Sequence, residues 1–113
     1  NLPVSALISI THRLAGLYVF FITLPLMLAL IYFSTASEDS FNELSLFLRD
    51  HKFILGLIVL SFCILWYHIL SGVRHLIMDA HIGESLLASK YSAIFIISFW
   101  TISTSLVFWK IFS

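Results

Sequence analysis

Long apolar runs set the pattern of this chain. Residues 14–33, 53–73 and 91–109 contain no Asp, Glu, Lys or Arg, and His68 is the only histidine among them. Each run is 19 to 21 residues long. About 20 helical residues, rising about 1.5 Å each, cover the roughly 30 Å hydrocarbon core of a bilayer. A segment in lipid must satisfy its backbone groups internally, which selects helices. The expected fold is therefore all-α, with three transmembrane helices in a single membrane-anchor domain over residues 1–113.

The intervals between the runs add shorter elements. Residues 34–52 carry Glu38, Asp39, Glu43, Arg49, Asp50 and Lys52. The stretch Ser40–Glu43 has the form of a capping box, which predicts a short helix over about 40–50. Phe41, Leu44, Phe47 and Leu48 would share one face of it, as in a helix lying on the membrane, although a plain solvated connection fits as well. In the second connection, 76–90, Gly83 suits a helix stop. Pro25 is expected to bend the first span. Ser92, Ser98, Thr101, Ser103, Thr104 and Ser105 would let the third helix approach its neighbours closely. Trp100, Trp109, Tyr32 and Tyr91 include several positions near span ends, as an aromatic belt predicts.

Composition agrees with that pattern. Of 113 residues, 60% are hydrophobic and 11% charged, against roughly 25% charged in soluble domains. Mean hydropathy is +1.03. The first run is too long, and wrongly flanked, for a cleaved secretory signal. Because the chain opens at Asn1, a preceding segment carrying any targeting information is expected. Cys63 has no second cysteine to pair with, so packing is its expected role. Zero net charge and the lack of a nucleic-acid motif exclude a nucleic-acid partner. Orientation stays open, because Arg13, Arg74 and Lys90 on one side balance Arg49, Lys52 and Lys110 on the other.

Candidate chemistry gathers at the end of the second run, in "WYHILSGVRHLIMD". An ionisable group inside a membrane helix is a functional candidate by default, and His68 is one. At about 100° per residue His68, Gly72, His75 and Asp79 form one stripe. His68 and His75 lie roughly 10 Å apart along the axis, too far to share a small metal ion or to serve as both axial ligands of one haem. If His68 binds haem iron, the opposite ligand comes from a second polypeptide. Gly72 and Ser71 leave room for a flat macrocycle, Arg74 and His75 could meet its propionates, and Asp79 could orient either. A buried histidine bonded to a neighbouring helix is the competing reading.

At the entrance to the first span, Ser9, His12 and Arg13 stand at helical spacing and can converge. Two passes of the chain put them on the same membrane side as Arg74 and His75. Ser9 and Arg13 supply the donors that a quinone head group needs in an apolar wall. Snorkelling of Arg13, a packing role for Ser9 and an interfacial place for His12 explain the same residues.

"SITHRLAG" at 9–16 and "HILSGVRHLIMD" at 68–79 together resemble the cytochrome b subunit of succinate dehydrogenase. The resemblance covers essentially the whole chain. It implies half of a heterodimeric, haem-binding anchor bundle in a bacterial cytoplasmic membrane or the mitochondrial inner membrane. By similarity His68 is the axial ligand of haem b and a smaller anchor subunit gives the other ligand. Ser9 and Arg13 are the quinone-site pair, while His12, Arg74 and His75 line the site or meet the propionates. The resemblance also implies docking of an iron–sulfur subunit and a flavoprotein subunit, with the N-terminus on the cytoplasm or matrix side. Ala15 departs from the family, which more often has serine or threonine there. Against this electron-transfer anchor stand a purely structural anchor and a small proton-relay or transport subunit.

Overall fold

The computed structural model describes residues 4–113. Helix α1 (Val4–Tyr18), a π-helical turn (Val19–Thr23) and α2 (Leu24–Thr35) follow one another without a break. Three further helices complete the chain: α3 (Glu38–Asp50), α4 (Lys52–Asp79) and α5 (Leu86–Phe112). The stretches Val4–Thr35, Lys52–Asp79 and Leu86–Phe112 are each long and apolar enough to cross a membrane. Among the described residues there is no strand, so the all-α expectation of three spans holds.

Each helix outruns its apolar run. The first begins at Val4 rather than Leu14, because Ile8 and Ala15 fall on one buried face and carry the helical pattern past the polar residues between them. Ser9, His12 and Arg13 therefore lie inside α1, not at its entrance. Pro25 has no N–H for the carbonyl one turn earlier. The helix responds with a widened turn just ahead, in which the Leu24 N–H donates to the Val19 carbonyl.

Two helix ends differ from expectation. The cap of α3 is Ser37, in extended conformation, whose hydroxyl oxygen accepts from the Ser40 N–H at 2.9 Å. The helix thus starts at Glu38, with Glu38 and Asp39 complementing its dipole. Ser40, the expected cap, instead donates its hydroxyl to the Phe33 carbonyl. At the end of α4 it is His81 that turns left-handed, at φ 63°. Its N–H donates to the Met78 carbonyl at 2.9 Å and the Ile82 N–H to the Ile77 carbonyl at 3.3 Å, the paired bonds of a Schellman stop. Gly83, at φ 69°, shapes the turn that follows. Ser85 then caps α5 by accepting from the Ala88 N–H.

Apolar packing is thin. Ile8, Ala93 and Ile96 are buried together, with Val4, Tyr67, Leu70 and Ile97 around them, where α1, α4 and α5 meet. Polar clips extend the contact. The Thr11 and Tyr67 hydroxyls share a hydrogen bond, and those of Tyr18 and Ser61 lie 2.9 Å apart. Trp66 Nε1 donates to Ser103 Oγ and Trp100 Nε1 to the carbonyl of buried Cys63, both at 2.9 Å. Trp100 is thus an interhelical staple at mid-span and no part of a belt. Trp109, Tyr32 and Tyr91 are exposed. Of the α5 hydroxyls, Ser92 and Ser103 clip to α4, whereas Ser98 and Ser105 face outward. Most large apolar side chains, Phe20, Phe21 and Leu28 among them, are also outward-facing, as suits lipid or a partner subunit.

Candidate functional site

Helix α4 returns antiparallel to α1, and their histidines meet at the seam. The rings of His12 and His68 stack face to face, with centroids 4.4 Å apart and planes 2° from parallel. His75, nearly two turns further along α4, sits 5.1 Å from His12 at a 49° tilt. This approach depends on two glycines. A Cβ on Gly16 would come within 3.1 Å of His68 Cε1, and one on Gly72 within 3.3 Å of His12 Cε1. Both helices carry His-x3-Gly, at 12–16 and at 68–72, and each ring occupies the notch left by the other helix's glycine.

Gly72 therefore does not leave an open face for a flat macrocycle; the His12 ring fills it. Ser71 belongs to the same arrangement. Fully buried, it shares a hydrogen bond with His12 Nδ1 at 2.6 Å and donates back to the Tyr67 carbonyl at 2.8 Å. Gly16 was overlooked from sequence, where the repeated His-x3-Gly spacing was the signal that could have found it, and Ser71 was read only as space rather than as the partner of His12.

His68 differs from its neighbours in one respect. Its Nδ1 is enclosed and has no hydrogen-bond partner among the described residues. An unpaired buried polar atom costs roughly 1–3 kcal/mol, so it calls for a reason. His68 Nε2 likewise makes no hydrogen bond among the described residues, yet it is not enclosed. This leaves one imidazole nitrogen on the open side of the seam, where an iron could take it. Among the described residues no three His, Cys, Asp or Glu side chains gather around a bare metal ion. Any iron bound here would need its other ligands from a macrocycle and a second chain.

The remaining candidates scatter. Arg74 lies roughly 120° around α4 from His68 and turns to α5. It is 5% exposed, donating from Nε to Ser92 Oγ at 3.1 Å and from Nη2 to the Ser89 carbonyl and hydroxyl at 3.2 and 3.0 Å. Asp79 is exposed and orients neither Arg74 nor His75 among the described residues. Arg13 is exposed and Ser9 half-buried, with no hydrogen bond between them. Of the expected trio only His12 enters the helix seam. Ala15 lines an apolar cavity of about 460 Å3 with Leu7, Thr11, Tyr18, Tyr67 and Trp100. Ser9 and Arg13 do not border it.

A family model described as the succinate dehydrogenase/fumarate reductase transmembrane subunit matches residues 1–108. The succinate dehydrogenase cytochrome b556 subunit of Coxiella burnetii is 35% identical over 101 residues, which cover 88% of this chain and 80% of that one. The succinate dehydrogenase cytochrome b560 subunit of Porphyra purpurea is 40% identical over 83 residues, covering 71% of this chain and 64% of that one.

Proposed function

The chain belongs to the succinate dehydrogenase/fumarate reductase transmembrane-subunit family, and from that premise we propose that it is the haem b-carrying membrane anchor of a succinate:quinone oxidoreductase. The observation that carries this reading is the His68 imidazole, held between Gly16 and the His12 ring with its Nε2 unpaired and not enclosed among the described residues. The relatives are named as b-type cytochromes, which supports haem b as the guest. When bound, the haem supplies a one-electron store between the iron–sulfur subunit and the quinone.

The chain's own residues then divide the work. His68 would hold the haem iron through its open nitrogen. His12 would not, because iron binds imidazoles through their nitrogen edges and these two rings meet face to face. A second, smaller membrane subunit would hold the haem from its own side. His12, stacked on His68, and His75, beside His12, would meet the propionates, while Arg74 turns to α5. On the outer side of α1, Ser9 and Arg13 would donate to quinone carbonyl oxygens, with the guanidinium stabilising the charge that develops on reduction. The flavoprotein and iron–sulfur subunits dock on the side of the N-terminus and the α4–α5 turn, at a bacterial cytoplasmic or mitochondrial inner membrane.

His68→Ala is the test. Reduced-minus-oxidised absorption of the assembled complex should lose its low-spin band, and an unchanged bis-histidine spectrum rejects the ligand assignment. For the quinone site, Arg13→Leu should lower quinone reduction at least tenfold while succinate oxidation by an artificial acceptor survives. Equal loss of both rates means failed assembly. The reciprocal His-x3-Gly notches favour one rival, a structural anchor whose histidines only join helices; a wild-type complex without a low-spin haem spectrum decides for it.

A further inference from the structure

Behind the histidine seam, α4 and α5 enclose a cavity of about 620 Å3 with Arg74 in its wall. Leu70, Val73, Ile77, Phe95 and Phe99 give it apolar walls, and Ile82 and Gly83 of the connecting turn close one end. A guanidinium remains charged in any protein setting. The described partners of Arg74 are all neutral oxygens, those of Ser89 and Ser92. Among the described residues the one ion pair is His81 with Glu84, out on the surface. Arg74 Nη1 donates to nothing among the described residues. A charge so placed in a membrane span calls for an anion from outside the chain.

The shape of the cavity says which kind. Its α5 wall runs from Ala88 to Phe99, roughly 16 Å of helix axis and about half of the ~30 Å hydrocarbon core. It therefore starts at the turn, where headgroups lie, and ends near the bilayer midplane. Val73, Phe95 and Phe99 are exposed, so the groove opens sideways to the membrane. We infer that this groove holds a membrane phospholipid, with its phosphodiester on Arg74 and one acyl chain along Leu70, Phe95 and Phe99. The inference is independent of the haem reading, since it uses a different face of α4.

The test compares the intact complex, purified in mild detergent, with Arg74→Gln and with Ile77→Trp. Ile77 is exposed, so tryptophan there fills the groove and leaves the Arg74 bonds to α5 in place. Native mass spectrometry should find one phospholipid fewer on each variant than on the wild type. Adding dioleoylphosphatidylglycerol vesicles should raise the melting temperature of the wild type more than that of either variant, and inorganic phosphate alone should not. Equal lipid counts in all three proteins overturn the inference. So does full stabilisation by inorganic phosphate, which makes the ligand a free anion. If Arg74→Gln fails to assemble while Ile77→Trp keeps the full lipid count, a carboxylate of a partner subunit pairs with Arg74 and the inference falls.

Discussion

The two faces of α4 solve the problem of polar groups in lipid in opposite ways. Toward α5, polar groups bond across the seam: Arg74 through Nε and Nη2 with Ser92 and Ser89, Trp66 with Ser103, and Trp100 with the Cys63 carbonyl. Toward α1, two imidazoles are stacked against glycines and one of their nitrogens is sealed off without a partner. The first seam joins its helices through hydrogen bonds, and the second leaves both ring nitrogens of His68 without one among the described residues. Interhelical hydrogen bonds in membranes contribute modestly, around 0.6 kcal/mol and up to about 2. Binding a ligand that favours the folded state adds to stability in proportion to its affinity. The histidine seam should therefore be the weaker without its guest and the stronger with it.

The largest effect expected from breaking this contrast follows Gly16→Leu. Even a Cβ at Gly16 stands 3.1 Å from His68 Cε1, so a full side chain must push α1 and α4 apart. Overpacking of this kind costs roughly 1–3 kcal/mol. The assembled complex should melt at lower temperature and lose its haem absorbance together, because the displaced ring is the proposed ligand. A complex that melts early yet keeps its full haem band would separate the glycine notch from the ligand site.

The opposite seam should respond differently. Trp100→Phe keeps the ring's bulk but removes the bond to the Cys63 carbonyl, at a cost of about 1 kcal/mol. The melting temperature should fall while the haem spectrum stays as it was. Loss of the haem band in Trp100→Phe to the extent seen in Gly16→Leu would mean that the two seams are coupled rather than distinct.

How far these seams could be foreseen depends on what kind of signal each residue sends. The three spans were legible because missing charge is a property of a segment and needs no partner. His68 was legible for the same reason, as one ionisable ring in an apolar run. Trp100 was not, since a tryptophan near the middle of a helix looks alike whether it faces lipid or the Cys63 carbonyl. Nor was His81 as the α4 stop, because a left-handed residue other than glycine leaves no mark in the sequence beyond a mild preference of histidine for that region. Ser37 and Ser40 both precede acidic residues, and only the fold of the connection chooses between them. Gly72 was recognised as space, but the occupant of a notch is decided by the facing helix, and His12 lies in a separate span.

The smallest expected effect tests that last point most finely. Alanine at Gly72 places a Cβ 3.3 Å from His12 Cε1, so the ring must yield by a few tenths of an ångström while Ser71 still holds its Nδ1. Alanine at Gly56 meets Phe112 Cζ only at 3.9 Å, an ordinary contact. Gly56→Ala should therefore leave the melting temperature unchanged to within about 0.5 kcal/mol of stability. Gly72→Ala should cost a little more, roughly 0.5–1 kcal/mol. The sharper difference is spectroscopic: a tilted His12 alters the ring stacked on His68, so the low-spin haem band should shift in Gly72→Ala and not in Gly56→Ala. If the band is identical in both, His12 does not constrain the ligand, and the stack is helix packing alone.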